Sequence, residues 1–356
     1  MEGRFLGVSL MLGALLPATG FAIEQDNLGA TTAKEMPQVT RTLPAPDLLT
    51  QIQARGVLRC GVGMQVDGFV AQDSQQKWVG LEADFCRAMA AAIFADQTKV
   101  EFLPRTVADR FEGLRKKEID VLIGNTSVTL ERELREGVRF PGVLYYDGQG
   151  FLVSKSSGIR KLSDLANKTV CVLKNTTAER QITQYAELQR MPIIIESFSE
   201  NAQMMQAYQN GRCMAVTAGV ASLAAYRKHL SSATQHVIVG QLIAKDAIGP
   251  VIATEETRLF DVARAVGSVL LNAEEERLSS ETVVHPNTAH QEWLKEVDTL
   301  AAPLGLPGNW AATVLAQVGN YNEVYERNLG GSSLVLKRNI NLLWREGGIH
   351  YAPRLF

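Results

Sequence analysis

The sequence predicts an α/β fold that is built in two blocks. Short, fully apolar runs such as "VLIG" at residues 121–124 have the length and composition of strands buried in a parallel sheet. They alternate with segments such as "EADFCRAMAAAIF" at residues 82–94, in which apolar residues recur at helical spacing. The alternation restarts at about residue 147, so we expect two parallel-rich sheets covered by crossover helices.

Each element of the two blocks can be assigned in order. Asp47 is a good N-cap for a short helix that ends at Gly56. The first block continues with strand "VLRCGVG", helix "EADFCRAMAAAIF", strand "KVEFLPR", helix "VADRFEGLRKKEID" and strand "VLIG". The second block runs from "GQGFLVSK" to "IGPVIAT". Residues 258–278 then form a helix, and the tail that follows is mostly helical.

Length and charge restrict the possible partners. The 356 residues are enough for two core-forming domains, and a composition of 46% hydrophobic and 21% charged residues is that of a globular protein. A formal net charge of −2 provides no basic excess to neutralise a phosphate backbone, so we expect no nucleic-acid partner. The sequence has no GxxxxGK[ST] motif, so we expect no direct ATP binding.

The first residues have the pattern of an export signal. Arg4 precedes an apolar run at residues 5–16, and small residues follow as far as Ala22. This pattern predicts a signal peptide at residues 1–22, although Glu2 weakens its charged region. Proline, glycine and threonine with little apolar periodicity then predict a linker or arm at 23–46.

The cysteine count favours disulfides. The four cysteines are Cys60, Cys86, Cys171 and Cys213. An even number in an exported protein predicts bridges, and pairing of nearest neighbours joins the first two and the last two. A zinc site or a catalytic thiol is the alternative, but no CxxC pair occurs and no histidine has metal-ligand spacing beside a cysteine. We therefore expect no metal and no cofactor.

A polar cluster after the strand at 121–124 is the main candidate site. It consists of Asn125, Thr126, Ser127, Thr129 and Arg132. A second polar group opens a helix in the second block: Asn175, Thr176 and Thr177. An arginine fork, hydroxyls and N–H groups at a helix N-terminus are the donors that a carboxylate needs. Two ordinary helix caps and a solvated arginine would account for the same residues.

Several longer blocks resemble one family. They include "GVLRCGVG", "NTSVTLERE", "YYDGQGFLV", "YQNGRC", "WAATVLAQVGNYNEVYERNLG" and "LLWREGGIHYAP". Together they resemble the periplasmic general L-amino-acid-binding proteins of polar amino-acid ABC transporters, from about Leu49 to Pro353. The resemblance implies a type II periplasmic-binding-protein fold, in which two lobes are joined by a two-strand hinge. The implied function is that of a periplasmic receptor, not an enzyme, which delivers an amino acid or similar small carboxylate to an inner-membrane ABC permease.

The resemblance also implies boundaries and roles. The first lobe would consist of 47–146 and 254–299, the second lobe of 147–253, and a helical extension at 300–356 would lie on the first lobe. Among the residues of the polar cluster, Arg132 matches the carboxylate-binding arginine and the small polar residues match ligand contacts. The group at 175–177 matches donors that meet the carboxylate when the lobes close. Phe69 matches the stacking wall for the ligand side chain, and a core aromatic is the competing interpretation.

Three positions depart from the family pattern. Gly219 stands where the family has the aspartate that binds the ligand's α-ammonium group, Gly124 replaces an arginine, and Val128 replaces a tryptophan. Three hypotheses follow. The ligand is not a standard α-amino acid, binding has been lost, or another acid has taken over, the candidates being Asp67, Asp147 and Glu196. A sensory or degenerate binding protein, and less readily a periplasmic lyase on the same fold, are the alternative functions.

Overall fold

The computed structural model describes residues 47–356 and confirms an α/β fold with two larger sheets, beside two pairs of short strands. The predicted signal peptide and the predicted linker lie outside the described residues. Within residues 47–356, no helix has both the length and the apolar character needed to cross a bilayer. The strands are β1 (Leu58–Val62), β2 (Ala71–Gln72), β3 (Trp78–Val79), β4 (Val100–Pro104), β5 (Val121–Ile123), β6 (Val138–Arg139), β7 (Tyr145–Ser154), β8 (Thr169–Leu173), β9 (Ile194–Phe198), β10 (Ala215–Gly219), β11 (His236–Ile238), β12 (Ala244–Ile248) and β13 (Ile252–Ala253).

Helices cover both sheets. In chain order they are α1 (Leu48–Arg55), α2 (Leu81–Phe94), α3 (Arg110–Arg115), α4 (Leu130–Arg135), α5 (Thr177–Leu188), α6 (Asn201–Gln209), α7 (Val220–Lys228), α8 (Thr257–Glu275), α9 (Thr288–Asp298), α10 (Ala301–Leu304), α11 (Trp310–Val318) and α12 (Tyr321–Tyr325).

The first lobe is the part of the chain around a three-stranded parallel sheet in the order β4–β1–β5. Helix α2 is buried along almost its whole length because it packs between this sheet and the helices α8 and α11. Its alanines let these helices approach closely, and its apolar residues form one continuous core with those of α8 and α11.

The second lobe is the part of the chain around a six-stranded mixed sheet. Strand β7 lies antiparallel to β10, β11 and β12, whereas β10, β8 and β9 run parallel. The parallel part agrees with the predicted crossover connections. The antiparallel part follows from the direction in which β7 enters the lobe.

Strands β7 and β12 connect the two lobes. They pair antiparallel from Tyr145 opposite Ile248 to Gln149 opposite Ala244. After β12 the chain returns to the first sheet, where Val251 and Leu122 exchange two main-chain hydrogen bonds of 2.9 Å. We call this pair of strands the hinge. The boundaries predicted at residues 147 and 253 fall within β7 and at the end of β13.

The tail packs on the first lobe and contacts the hinge. Trp310, Tyr321 and Tyr325 are buried among α2 and α8, whereas Trp344 is 54% exposed. Tyr321 donates a hydrogen bond to the carbonyl oxygen of Leu144, just before β7.

Asn341 in the tail fixes the edge of the hinge. Its Oδ1 accepts the N–H of Tyr146 at 2.7 Å, and its Nδ2 donates to the carbonyl of the same residue at 2.8 Å. One buried amide therefore satisfies both main-chain groups of a hinge residue, as a neighbouring strand would.

Both predicted disulfides are confirmed. Cys60–Cys86 joins β1 to α2, and Cys171–Cys213 joins β8 to the segment before β10. They close loops with sequence separations of 26 and 42 residues, so each stabilises the fold by roughly 3 to 4 kcal/mol in the chain-entropy treatment.

The tail's contribution to stability can be measured with two tryptophan variants. Trp310→Ala removes a side chain that is 1% exposed, so we expect the free energy of unfolding to fall by roughly 3 to 5 kcal/mol. Trp344→Ala is the matched control, because that side chain is mostly exposed, and its loss should be under about 1 kcal/mol. Equal losses in chemical denaturation would contradict the packing described for the tail.

Candidate functional site

A cavity lies between the two lobes, where the hinge meets the ends of β5 and β10. The structure brings six of the predicted site residues to it: Asn125, Ser127, Arg132, Thr176, Thr177 and Gly219. The first three belong to the first lobe and the others to the second. The walls therefore come from both sides of the hinge.

A glycine turn places the polar cluster at the end of β5. Gly124 has φ of +110°, and a Cβ atom there would lie 2.5 Å from the main-chain nitrogen of Met64. Any side chain at this position would collide with the neighbouring strand connection. The glycine at 124, one of the departures from the family pattern, thus follows from local packing.

Glu82 stabilises this turn by hydrogen bonds to its main chain. It is fully buried at the start of α2, and its carboxylate accepts the N–H groups of Gly124 at 3.2 Å and Asn125 at 2.8 Å. Burial raises the pKa of the Glu82 carboxyl to about 7, while the two N–H groups and the charge of Arg110 oppose the rise. The turn that carries Asn125 and Ser127 therefore depends on a buried acid that sequence analysis did not identify.

Arg132 is buried, which distinguishes the site from an ordinary helix start. The side chain is 8% exposed, and its guanidinium donates to the carbonyl of Ser127 at 2.5 Å. Thr129 caps α4 by accepting the N–H of Arg132 at 3.3 Å, so its hydroxyl serves the helix. The structure does not bring Thr129 to the cavity between the lobes.

A second buried arginine, Arg110, lines the same cavity. It is 3% exposed at the start of α3, and among the described residues its guanidinium makes no hydrogen bond and no ion pair. Arg110 and Arg132 lie over the same ring, that of Phe111, at 5.0 and 5.5 Å from its centre. Burial and the nearby charge of Arg132 together lower the pKa of Arg110 to about 9. Two buried cations on one ring favour binding of an anion.

The sequence contained little sign of Arg110. It lies in "VADRFEGLRKKEID", which has the pattern of an amphipathic helix with many charged residues. Only the packing of α3 beside the turn at the end of β5 turns this arginine toward the cavity.

The second lobe contributes the N-terminus of α5. Thr176 caps the helix by accepting the N–H of Glu179 at 3.2 Å. The hydroxyl of Thr177 is hydrogen-bonded to that of Ser127 at 2.9 Å, across the cleft. A helix N-terminus attracts negative charge, so this side of the cavity has the same electrostatic preference as the arginines.

Further polar contacts join the lobes across the cleft. Asn125 donates to Ser222 at 2.6 Å, and Glu131 is paired with Arg180. The cleft is therefore closed, with hydrogen bonds and ion pairs between its walls, including that of Asp67 with Lys228.

Two of the candidate acids form ion pairs away from the cavity. Asp67 pairs with Lys228 and His229 at 3.2 and 2.8 Å, and Glu196 pairs with Arg212. Neither lines the cavity.

The other acids lie on the hinge. The Oδ2 atom of Asp147 is 2.6 Å from the position that a Cβ atom at Gly219 would occupy. Asp246, which sequence analysis missed, lines the cavity and accepts the hydroxyl of Ser127 at 3.1 Å. The signal that could have indicated it is its position in the returning strand, two residues before "IGPVIAT".

Three other predicted residues do not line this cavity. Phe69 is fully buried in the first-lobe core, edge-on to Tyr145 with ring centres 5.0 Å apart. The environment of Phe69 is therefore that of a core aromatic and not of a ligand wall. Thr126 is also fully buried, and Asn175 lines a neighbouring pocket.

The neighbouring pocket, which we call the basic pocket, opens beside the cavity. It has a volume of about 370 Å³ and shares Arg110, Arg132, Thr176 and Thr177 with the cavity. Arg115 and Arg180 extend it outward, together with Glu131 and Glu136. No three His, Cys, Asp or Glu side chains of residues 47–356 are grouped closely enough to hold a metal ion.

Two lobes, a two-strand hinge and a closed cleft with buried charges define the class of bilobal solute-binding proteins. The chain belongs to the bacterial extracellular solute-binding proteins, family 3, whose profile matches residues 58–298.

Several relatives cover almost the whole described chain. The chain is 38% identical over 315 residues to the general L-amino acid-binding periplasmic protein AapJ of Rhizobium johnstonii, covering 86% of this chain and 92% of that one. It is 32% identical over 311 residues to the glutamate/glutamine/aspartate/asparagine-binding protein BztA of Rhodobacter capsulatus, covering 86% and 92%.

One solved structure is similar over nearly the same region. It is an ABC transporter periplasmic binding protein from Brucella ovis with glutathione bound. The identity is 34% and the TM-score is 0.83, and the match covers 87% of this chain and all of that one.

The buried Glu82 carboxyl should make stability depend on pH. Its pKa is higher in the folded than in the unfolded chain, so its contribution is largest below about pH 4.5 and is lost as the pH rises through 7. The loss is on the order of 3 kcal/mol. We expect Glu82→Gln to lower stability at every pH, since its NH₂ group faces an N–H donor, but to flatten the dependence between pH 4.5 and 8.

Chemical denaturation across that range measures the difference between the two proteins. Other titrating groups are common to both and cancel in the comparison. Parallel pH profiles would show that Glu82 does not titrate in this range.

Proposed function

We propose that this protein is the periplasmic receptor of an ABC importer and that it captures an amino acid, or a small carboxylate related to one, between its lobes. The observation that carries the proposal is the convergence of Arg110, Arg132 and the N-terminus of α5 on one cavity. The names of the similar AapJ and BztA proteins support it, since both describe amino-acid-binding proteins.

The proposed mechanism couples carboxylate binding to closure. The first lobe supplies the guanidinium groups of Arg110 and Arg132, and the second lobe supplies Thr177 and the main-chain N–H groups of α5. A carboxylate that bridges them gains its full set of charge-assisted hydrogen bonds only when the lobes are together. The ligand therefore favours the closed state by its difference in affinity between the two states.

Delivery to a permease follows from the same motion. Both lobes move about the hinge, so a surface that includes both of them has one shape when the cleft is closed and another when it is open. A permease that contacts both lobes would distinguish the closed, loaded receptor from the open, unliganded one. We propose transport and not catalysis, and a separate subunit would hydrolyse ATP.

The basic pocket favours a second candidate ligand, an acidic peptide. Arg115 and Arg180 lie beyond the cavity, where a second carboxylate of a longer ligand would reach them. Glutathione is bound to the similar Brucella ovis protein, and it carries two carboxylates and one ammonium group. Glutathione therefore belongs in any ligand screen.

Thermal unfolding in the presence of candidate ligands tests the function. The purified protein is first unfolded and refolded to remove any copurified ligand, then heated with L-amino acids, glutathione, decarboxylated amines, keto acids and small carboxylates. We expect the midpoint to rise with amino acids or glutathione, because a ligand that binds only the folded state stabilises it. No rise with any of these compounds would contradict the proposed function.

The role of Arg132 can be separated from that of surface charge. We expect Arg132→Gln to weaken binding of the carboxylates that stabilise the wild type by roughly 100-fold, because it removes one partner of a buried charge pair. Arg135→Gln is the matched control on the same helix, since its side chain is 77% exposed. Equal affinities of the two variants in calorimetric titration would argue against the proposed carboxylate site.

A further inference from the structure

Two aspartates face each other on the hinge. Asp147 of β7 and Asp246 of β12 are direct partners in the antiparallel ladder. Side chains of such partners project from the same face of a sheet, with Cβ atoms about 4.5 to 5.5 Å apart. The hinge therefore presents a pair of carboxyl groups on one face.

These carboxyl groups are half-buried and have no cationic partner among the described residues. Among residues 47–356, neither aspartate takes part in an ion pair. Asp246 accepts the hydroxyl of Ser127 and the N–H of Ala247, and Asp147 accepts main-chain N–H groups only. Burial raises the pKa of both carboxyls, that of Asp147 to about 7, and the charge of Asp246 contributes to the rise at Asp147. Adjacent like charges destabilise a sheet, and a cation between them would remove that cost.

The pair lies against the cavity between the lobes. Asp246 lines it directly. Asp147 does not line the cavity itself, but its Oδ2 atom lies 2.6 Å from the position that a Cβ atom would occupy at Gly219, which does line it. Gly219 is paired with Gln149, two residues from Asp147, so all three belong to the same face of the sheet.

An independent observation in the same cavity points to a ligand. Arg110 is buried at 3% exposure with an unpartnered guanidinium. The cavity thus holds a buried cation, Arg110, and a half-buried carboxylate, Asp246, and neither has an ion-pair partner among the described residues. Arg132 and Asp246 influence each other's pKa but are not within ion-pair distance, so they do not compensate each other directly. A zwitterion would satisfy both ends.

We propose that Asp246, supported by Asp147, binds the cationic group of the ligand, so that the ammonium site of this receptor is on the hinge strands. The inference rests on the proposed function and specifies its ligand as a zwitterion. The ammonium group points to the hinge and the carboxylate to Arg110 and Arg132. Gly219 then lacks an acidic side chain because the neighbouring strands supply the charge.

A purely structural role for Asp147 is the alternative. Its carboxylate accepts the N–H of Ala221 in the first turn of α7, so it also caps that helix. A variant that only loosened this helix would weaken every ligand to a similar degree. The decisive measurement therefore compares ligands that differ only in the ammonium group.

The experiment uses matched pairs of probes. L-glutamate, L-alanine and L-leucine are each titrated beside the corresponding (S)-2-hydroxy acid, in which a hydroxyl replaces the ammonium group, and glutathione is included. The proteins are the wild type, Asp246→Asn, Asp147→Asn and the control Asp67→Asn, whose carboxylate lies between the lobes but away from the cavity.

We expect Asp246→Asn to weaken binding of the amino acids by roughly 100- to 1,000-fold and to leave the hydroxy acids within a few-fold. Asp147→Asn should act in the same direction with a smaller factor, and Asp67→Asn should retain the wild-type preference. If the wild type binds amino acids and both hinge variants keep the wild-type ratio, the inference is wrong and the receptor function stands. If the wild type prefers the hydroxy acids, the receptor binds carboxylates and the hinge pair is not an ammonium site. Absence of binding to every probe would overturn both proposals.

Discussion

The antiparallel pairing of β7 with β12 is the constraint on which the rest of the structure depends. Both connections between the lobes run through this pair, so its register sets how the two sheets face each other. The same register places Asp147 opposite Asp246, and a slip of one residue would turn one of these carboxyls to the opposite face. The Asn341 amide, which pairs with the main chain of Tyr146, occupies the edge of the hinge and restricts such slippage.

Charged groups of both signs line the closed cleft. Arg110 and Arg132, which are buried, line the same cavity as Asp246, which is half-buried. Charges without partners in a closed cleft cost free energy, so the unliganded site is less stable than one lined by apolar residues. A ligand with complementary charges recovers part of this cost on closure, which gives a physical reason for binding and lobe motion to be coupled.

The packing of the first lobe supports this site. The glycine turn at 124 is held by Glu82, and the strand beside it is joined to α2 by the Cys60–Cys86 disulfide. The tail adds a large apolar contact to the same helix through Trp310. The stabilising free energy of packing in the first lobe therefore offsets the free-energy cost of the buried polar groups in the cleft.

The sequence by itself determined the α/β class, the disulfide pairs and the polar clusters at 125–132 and 175–177, because periodicity, cysteine parity and capping patterns are local properties. It could not determine that Arg110 and Asp246 belong to the same cavity as Arg132, since only the packing of α3 and the pairing of the hinge strands bring these distant segments together. Phe69 illustrates the same limit. An aromatic residue at its position suits either a core or a ligand wall, and contact with Tyr145 in the folded lobe decided for the core. Local patterns specify elements and their ends, whereas the direction in which a charged or aromatic side chain points depends on contacts between elements far apart in the chain.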